Sequence, residues 1–382
     1  MYKHHYSEFL KANAGKLHMA CHSHHYWPDV TRQAMLDYWE DSAQMVDDKW
    51  NYFFSEKIPK VQKLIAENLN LSNPQSLVFA PNTHELLYRL ISSFYGDKPV
   101  KILTTSSEFH SFNRQSRRWQ EMNLATVDRV AVNSEFEDQF VKKALEGDYD
   151  LIFFSHVFFD SGIALENLER LVNKLSSTES TIVVDGYHGF GAIPTDLSRV
   201  EENIFYLGGS YKYLQGGEGC CFMHVPPNSL KPVNTGWFAG FAELESKQDG
   251  PISFSEGAMK FAGSTMDFSA LYRLEASLKL INEITIETIH QYIQNLQNVF
   301  LEKIYALENS YLNKDSLMVN DLGNHGHFLT FKTEHAAALH DYLKSHGVIT
   351  DFRGDRLRFG FAIYHDPQDY QLDFLSQFRP EV

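Results

Sequence analysis

Short apolar runs alternate with helical patterns through the middle of the chain. Residues 77–79, 100–103, 151–154, 181–184, 204–207 and 221–223 are apolar runs of the length that strands buried in a sheet take. Between several of them lie helical patterns, such as the one carrying Leu86, Leu87, Leu90, Ile91 and Phe94 on one face. This alternation predicts an α/β fold built on a mainly parallel sheet. After about Asp267 the pattern changes. A long helix is expected through Leu271, Leu274, Leu278, Ile281 and Ile284, then a strand at 327–331 and a helix at 335–346. A hairpin-like pair around 353–358 and a last helix near 369–378 complete a smaller α+β domain. The expected organisation is an N-terminal segment (1–45) packing with either domain, a large domain (46–266) and a small C-terminal domain (267–382).

Composition narrows the function classes. The 382 residues carry 34 Lys and Arg against 49 Asp and Glu, a net charge of −15. Such a balance argues against nucleic acid or an acidic membrane as the main partner, though not against a small anion in a locally basic pocket. Three cysteines, two of them adjacent (Cys220 and Cys221), make no disulfide framework and fit a reducing compartment. No apolar run approaches the ~20 residues of a membrane span, and the first residues lack the apolar core of a secretory signal. A cytoplasmic protein is expected.

Two segments carry the chemistry. In TIVVDGYHGFG a β-branched strand ends at Asp185, with His188 following among glycines. Ligands of open α/β sheets bind at the carboxyl ends of strands, so Asp185 stands where a ligand sits, although an isolated strand-end Asp more often caps a turn. The next strand leads into GGSYKYLQGGEGCCF, where Lys212 is bracketed by Tyr211 and Tyr213 among glycines that let a backbone approach a ligand closely. A lysine shielded from water has the lowered pKa that an imine-forming amine needs; a lone lysine is more often a solvated surface group. Pyridoxal phosphate requires both groups: an amine to form the imine, and a carboxylate to keep the pyridine nitrogen protonated so that the ring acts as an electron sink.

Together these segments resemble the kynureninases, a branch of the class V aminotransferase superfamily. GGSYKYLQGGEGCCF resembles their cofactor-lysine region, DGYHGFG their Asp-x-x-His motif, and NTGWFAGF the Gly-Trp segment that follows. The resemblance runs from about Ser76 to Leu274 and returns near residues 353–370. It implies the aspartate-aminotransferase-like fold (fold type I) and pyridoxal 5'-phosphate as cofactor. By resemblance Lys212 is the Schiff-base lysine and proton shuttle, and Asp185 pairs with the pyridine nitrogen. His188 lies near the phenolic oxygen or the phosphate, and Tyr211 and Trp237 reach the phosphate. Asn82 and Thr83, which a capping-box reading explains equally well, cradle the phosphate at a helix N-terminus. In SSEFHSF, Phe109 is the ring that stacks on the cofactor, with His110 as the alternative. Thr265, in FAGST, reaches the site of a neighbouring subunit and so implies a homodimer. Arg358, a guanidinium inside an apolar run, holds the substrate α-carboxylate where alternation alone would allow an outward-facing residue.

The chain departs from the kynureninases at named places. An aspartate three residues after the stacking Phe is here Phe112, a tyrosine of the FFDSG segment is here Phe159, and a double proline is replaced by Met266-Asp267. The expected activity is therefore a pyridoxal-phosphate-dependent reaction of an L-amino acid, kynureninase-like hydrolysis of a 3-acylalanine first and class V transamination second. Cysteine desulfuration is disfavoured because no cysteine follows Cys221. The histidines of the first 25 residues admit a metal-binding or non-catalytic alternative, but no recognised ligand spacing completes it, and no metal is expected.

Overall fold

Seven segments rich in β-branched and aromatic residues pair into one sheet, because such side chains pack well on a pleated, covered surface. The computed structural model describes residues 1–243, 250–307 and 311–380. Its main strands are β1 (Leu77–Ala80), β2 (Val100–Thr105), β3 (Ala125–Val130), β4 (Leu151–Ser155), β5 (Thr181–Asp185), β6 (Ile204–Gly209) and β7 (Cys221–His224). They lie in the order β1-β7-β6-β5-β4-β2-β3. β2 to β6 are parallel, whereas β7 runs antiparallel to both β6 and β1. Strands β1, β4, β6 and β7 are buried throughout, as a sheet covered on both faces requires. The strand that the apolar pattern did not predict is β3. It is an edge strand of sequence ATVDRV with polar, partly exposed central residues, so it has no apolar run to reveal it.

The helices that position the site are α1 (Val30–Met45), α2 (Ile58–Leu69), α3 (Thr83–Ser92), α4 (His110–Glu121), α5 (Ser269–Ile284) and α6 (Ile286–Ala306). Helix α3 ends before Phe94, which is half-buried just beyond it. The strand order reverses between β4 and β2, and the loops leaving these two strands therefore diverge around a crevice at their carboxyl ends.

The C-terminal part forms a three-stranded antiparallel sheet in the order β9 (Asp351–Arg353), β10 (Arg356–Gly360), β8 (Phe328–Lys332), with a helix at Ala336–Ser345. The helix expected near 369–378 is instead two short 3-10 turns, Pro367–Asp369 and Asp373–Gln377. A capping box between Asp366 and Asp369 closes the first turn. Tyr370, Leu372, Leu375 and Phe378 are all buried, at positions spread too widely for one face of an α-helix. The N-terminal segment touches both halves. Leu17–His18 pairs in parallel with Val348–Ile349 and α1 lies on α5, where the Tyr272 hydroxyl donates to Asp41 at 2.5 Å, while the Tyr6 hydroxyl donates to Gln215 of the large domain.

Candidate active site

Asp185 closes β5, and Lys212 follows the end of β6 in a loop whose path depends on small residues. Gly209 passes so close to Tyr187 that an added methyl would strike its hydroxyl. Gly217 has φ +72°, and a Cβ there would lie 2.5 Å from the Trp27 ring. These approaches fold the loop back over the strand ends and bring Lys212 into a cavity of about 240 Å³. Its walls include Asp185, His188, Tyr211 and Lys212 from the two chemistry-bearing segments. Asn82, Thr83 and Phe109 line it from the loops after β1 and β2.

The lysine is 5% exposed and hydrogen-bonded to Nε2 of His188, whose Nδ1 faces the Tyr213 hydroxyl at 3.3 Å. Its Nζ lies 5.1 Å from the centre of the Tyr187 ring, 5.3 Å from Phe109 and 5.9 Å from Tyr211. Burial lowers the Lys212 pKa to about 7, with the Asp185 charge acting in the opposite direction. Burial, reinforced by the charge on Lys212, also keeps His188 neutral, well below the usual histidine range. Asp185 accepts from the Tyr187 amide at 2.9 Å; burial raises its carboxyl, and that hydrogen bond and Lys212 oppose the rise.

Asn82, also in the cavity wall, caps α3, accepting from the Glu85 amide at 2.9 Å. Capping and cavity lining thus coincide in one residue. The first-turn amides of Thr83 and His84 have no acceptor within the helix and belong to residues lining the cavity. An ammonium of lowered basicity, a carboxylate on the neighbouring strand, aromatic faces and a helix N-terminus form a donor set suited to an aldehyde-bearing pyridine phosphate.

Other expected residues lie elsewhere. Phe109 lines the cavity, whereas the His110 ring packs 5.2 Å from Phe159 and does not line it. Trp237 donates from Nε1 to the Thr265 hydroxyl at 3.2 Å and packs edge-on to Trp50; neither residue lines this chain's cavity. Arg358 is buried outside the cavity, donating to the Phe159 carbonyl at 2.6 Å and ion-paired to Asp351. Of the two aromatic departures, Phe112 is a core residue stacked 3.9 Å from Phe153, whereas Phe159 is in the cavity wall, edge-on to Phe109. Sequence reasoning passed over Tyr187, Ser155 and Cys221, which also line the cavity. Tyr187 stands inside DGYHGFG between two residues that were singled out; Ser155 and Cys221 looked like ordinary strand ends. Among the described residues no group of three or more His, Cys, Asp or Glu could hold a metal ion.

Comparison with known proteins gives the family and the fold. The family model described as aminotransferase class V matches residues 27–356. A kynureninase of Geobacillus thermodenitrificans is 26% identical over 323 residues, covering 81% of this chain and 74% of its own length. An isopenicillin N epimerase of Streptomyces clavuligerus is 37% identical over 174 residues, 43% of either chain. Among solved structures, the cystine C-S lyase C-DES in complex with cysteine persulfide superposes with a TM-score of 0.83 at 16% identity, over 97% of this chain and all of its own. A cysteine desulfurase of Thermococcus onnurineus superposes with a TM-score of 0.79 at 17% identity, over 95% of this chain and 93% of its own.

Proposed function

Because the chain belongs to the aminotransferase class V family, on the fold of the type I pyridoxal-phosphate enzymes and with pyridoxal 5'-phosphate as its cofactor, we propose that it processes an L-amino acid at Lys212, with kynureninase-like cleavage of a 3-acylalanine as its reaction. The observation that carries this reading is the buried Lys212 amine, held by His188 and lining one cavity with Asp185.

The cofactor supplies an electron sink for charge developing at the substrate α-carbon. The rest is work for the chain's own side chains. Lys212, with its pKa near 7, is matched to removing and returning a proton at neutral pH. Neutral His188 fixes the direction of the amine. Asp185 would hold a carboxylate toward the ring nitrogen, and the first turn of α3, with Asn82 and Thr83, would receive the phosphate. Phe109, in the cavity wall, would cover a ring face, and Tyr187 and Tyr211, with ring centres 5.1 and 5.9 Å from Nζ, keep water from the amine. Arg358 offers its guanidinium to the substrate carboxylate. Trp237 and Thr265, which stand together away from this cavity, serve the cavity of a second copy, so the working unit is a homodimer.

The test is a visible spectrum of the protein loaded with pyridoxal phosphate, before and after L-kynurenine, with products identified by mass. Alanine and anthranilate establish the reading. A keto acid with the pyridoxamine form of the cofactor replaces it with transamination, and an unchanged spectrum removes L-kynurenine as substrate.

A further inference from the structure

Glu108 is a buried carboxyl that the chemistry above leaves unused. It lies between β2 and α4, one residue before Phe109, and is 3% exposed. One oxygen accepts from the Thr105 hydroxyl at 2.7 Å and from the Ser155 amide at 3.2 Å, while the other meets the Ser155 hydroxyl at 2.6 Å. All three partners are neutral. The charged group bearing on it is Asp185, of the same sign as an ionised Glu108, whose Cα is the register partner of Ser155 across β4 and β5. His156, next along the chain after β4, is also buried, and its burial lowers it to about 4, so it brings no positive charge. Lys212 and His188 line the same cavity, hydrogen-bonded to each other.

A carboxylate in this position would be buried without a cation and set beside a second carboxylate, whereas the acid form avoids both costs. Burial, against the hydrogen bonds of Ser155 and Thr105 and with the Asp185 charge, raises Glu108 to about 8. The protonation state decides what Ser155 can do. A serine hydroxyl has one proton. If Glu108 were ionised, that proton would be fixed on its carboxylate. With Glu108 protonated, the acid O–H donates to Ser155 Oγ, and the serine proton is released toward the cavity that Ser155 lines.

We propose that Glu108 stays protonated and, through Ser155, presents a hydroxyl donor to the bound cofactor beside Asp185. The chemistry it fits is an anionic ring oxygen, the phenolate of the pyridine ring. Phe159 is an apolar part of the same wall, and Ser155 is a polar one. A neutral Glu108 also spares Asp185 a like charge, leaving it ionised for the ring nitrogen. Glu108 is thus a positioning residue, and Ser155 is the group that touches the cofactor.

Cofactor affinity of the full chain and its infrared spectrum test this together. Ser155→Ala is expected to weaken pyridoxal phosphate binding about tenfold, the scale of one hydrogen bond. Glu108→Gln keeps a neutral donor for Ser155 Oγ and is expected to bind within about twofold of the parent. The infrared difference between the loaded parent and loaded Glu108→Gln at neutral pH should contain the carbonyl band of a carboxylic acid. Carboxylate bands in its place overturn the proposal. So does a Ser155→Ala protein that binds the cofactor as tightly as the parent, a result that stands even if Glu108→Gln does not fold. A folded Glu108→Gln protein, checked by circular dichroism, that binds as weakly as Ser155→Ala also overturns it.

Discussion

Asp351 and Arg358 are register partners across β9 and β10, and their side chains, 13% and 4% exposed, form an ion pair. Asp351 is also 3.1 Å from Arg353 and accepts from the Ser23 hydroxyl at 2.8 Å, with His22 Nε2 at 3.6 Å. Partial burial acts to raise its carboxyl, but His22, the charge on Arg358 and Ser23 outweigh it and hold it well below the usual range. Arg358 meets the Phe159 carbonyl with one terminal nitrogen, and its Nε has no hydrogen-bond partner among the described residues. The guanidinium assigned to the substrate carboxylate therefore carries an internal carboxylate on one terminal nitrogen and a backbone carbonyl on the other, and its unpaired Nε is buried.

Asp351→Asn should accordingly cost about 3–5 kcal/mol in urea denaturation, because it leaves a buried cation without its partner. The Asp351 contribution is complete above the unfolded pKa of about 3.9 and is lost as pH falls through the lower folded value. The parent should therefore lose stability below about pH 4 more steeply than the variant. An L-amino acid should raise the variant's denaturation midpoint more than the parent's, since its carboxylate can replace the missing one. Equal midpoints for the two proteins would remove the ion pair as a source of stability.

Lys212 gives a pH dependence of the same direction in a higher window. In the cofactor-free protein its amine loses its proton near pH 7. The rate of pyridoxal phosphate capture, followed by growth of the visible band, should rise about tenfold per pH unit below 7 and flatten above it. The folded state binds fewer protons than the unfolded chain between about 7 and the unfolded lysine value of about 10.4, so this group adds stability as pH rises through that window. Lys212→Ala should abolish turnover and remove the pH step in capture; turnover that survives the substitution would sink the assignment.

How much of this was legible beforehand differs from residue to residue. Six strands were visible because burial on both faces forces apolar runs, and Asp185 and Lys212 stood out because polar groups at such strand ends need a reason. The edge strand β3 was hidden, since a partly solvated strand tolerates Asp128 and Arg129. Glu108 was quoted in its motif but gave no sign of its burial, which depends on Thr105 and Ser155 brought together by the sheet. Arg358 was visible as a charge in an apolar run. Its partner Asp351 was not, because the pairing comes from hairpin register, which residue types alone do not fix.

Phe112 and Phe159 looked like equivalent losses in sequence and are not equivalent in structure. Phe112 is 4% exposed and stacked parallel on Phe153 in the core. Phe112→Asp would bury a carboxyl in the aromatic core and remove the stack on Phe153, so a loss of about 3 kcal/mol or more is expected in chemical denaturation. Phe159 lines the cavity, and Phe159→Tyr adds its hydroxyl next to open space, so stability should change by less than about 1 kcal/mol. A mild Phe112→Asp or a severe Phe159→Tyr would reverse the distinction drawn between core and wall.

Thr265 allows a test of the homodimer that needs no new structure. It is hydrogen-bonded to Trp237 and lies outside the cavity of its own chain. If it serves the neighbouring cavity, Lys212→Ala and Thr265→Ala chains fail for different reasons and can complement each other. In a mixed dimer one cavity receives Lys212 from the Thr265→Ala chain and Thr265 from the Lys212→Ala chain, and is intact. Alone, Thr265→Ala should weaken cofactor binding about tenfold, as the loss of one hydrogen bond to a charged group does. Co-refolding the two chains should restore turnover at low cofactor concentration, where neither variant alone is active. Recovery is expected only if the two chains share a cavity. Without it, even though size-exclusion chromatography shows that mixed dimers form, Thr265 would act within its own chain or not at all.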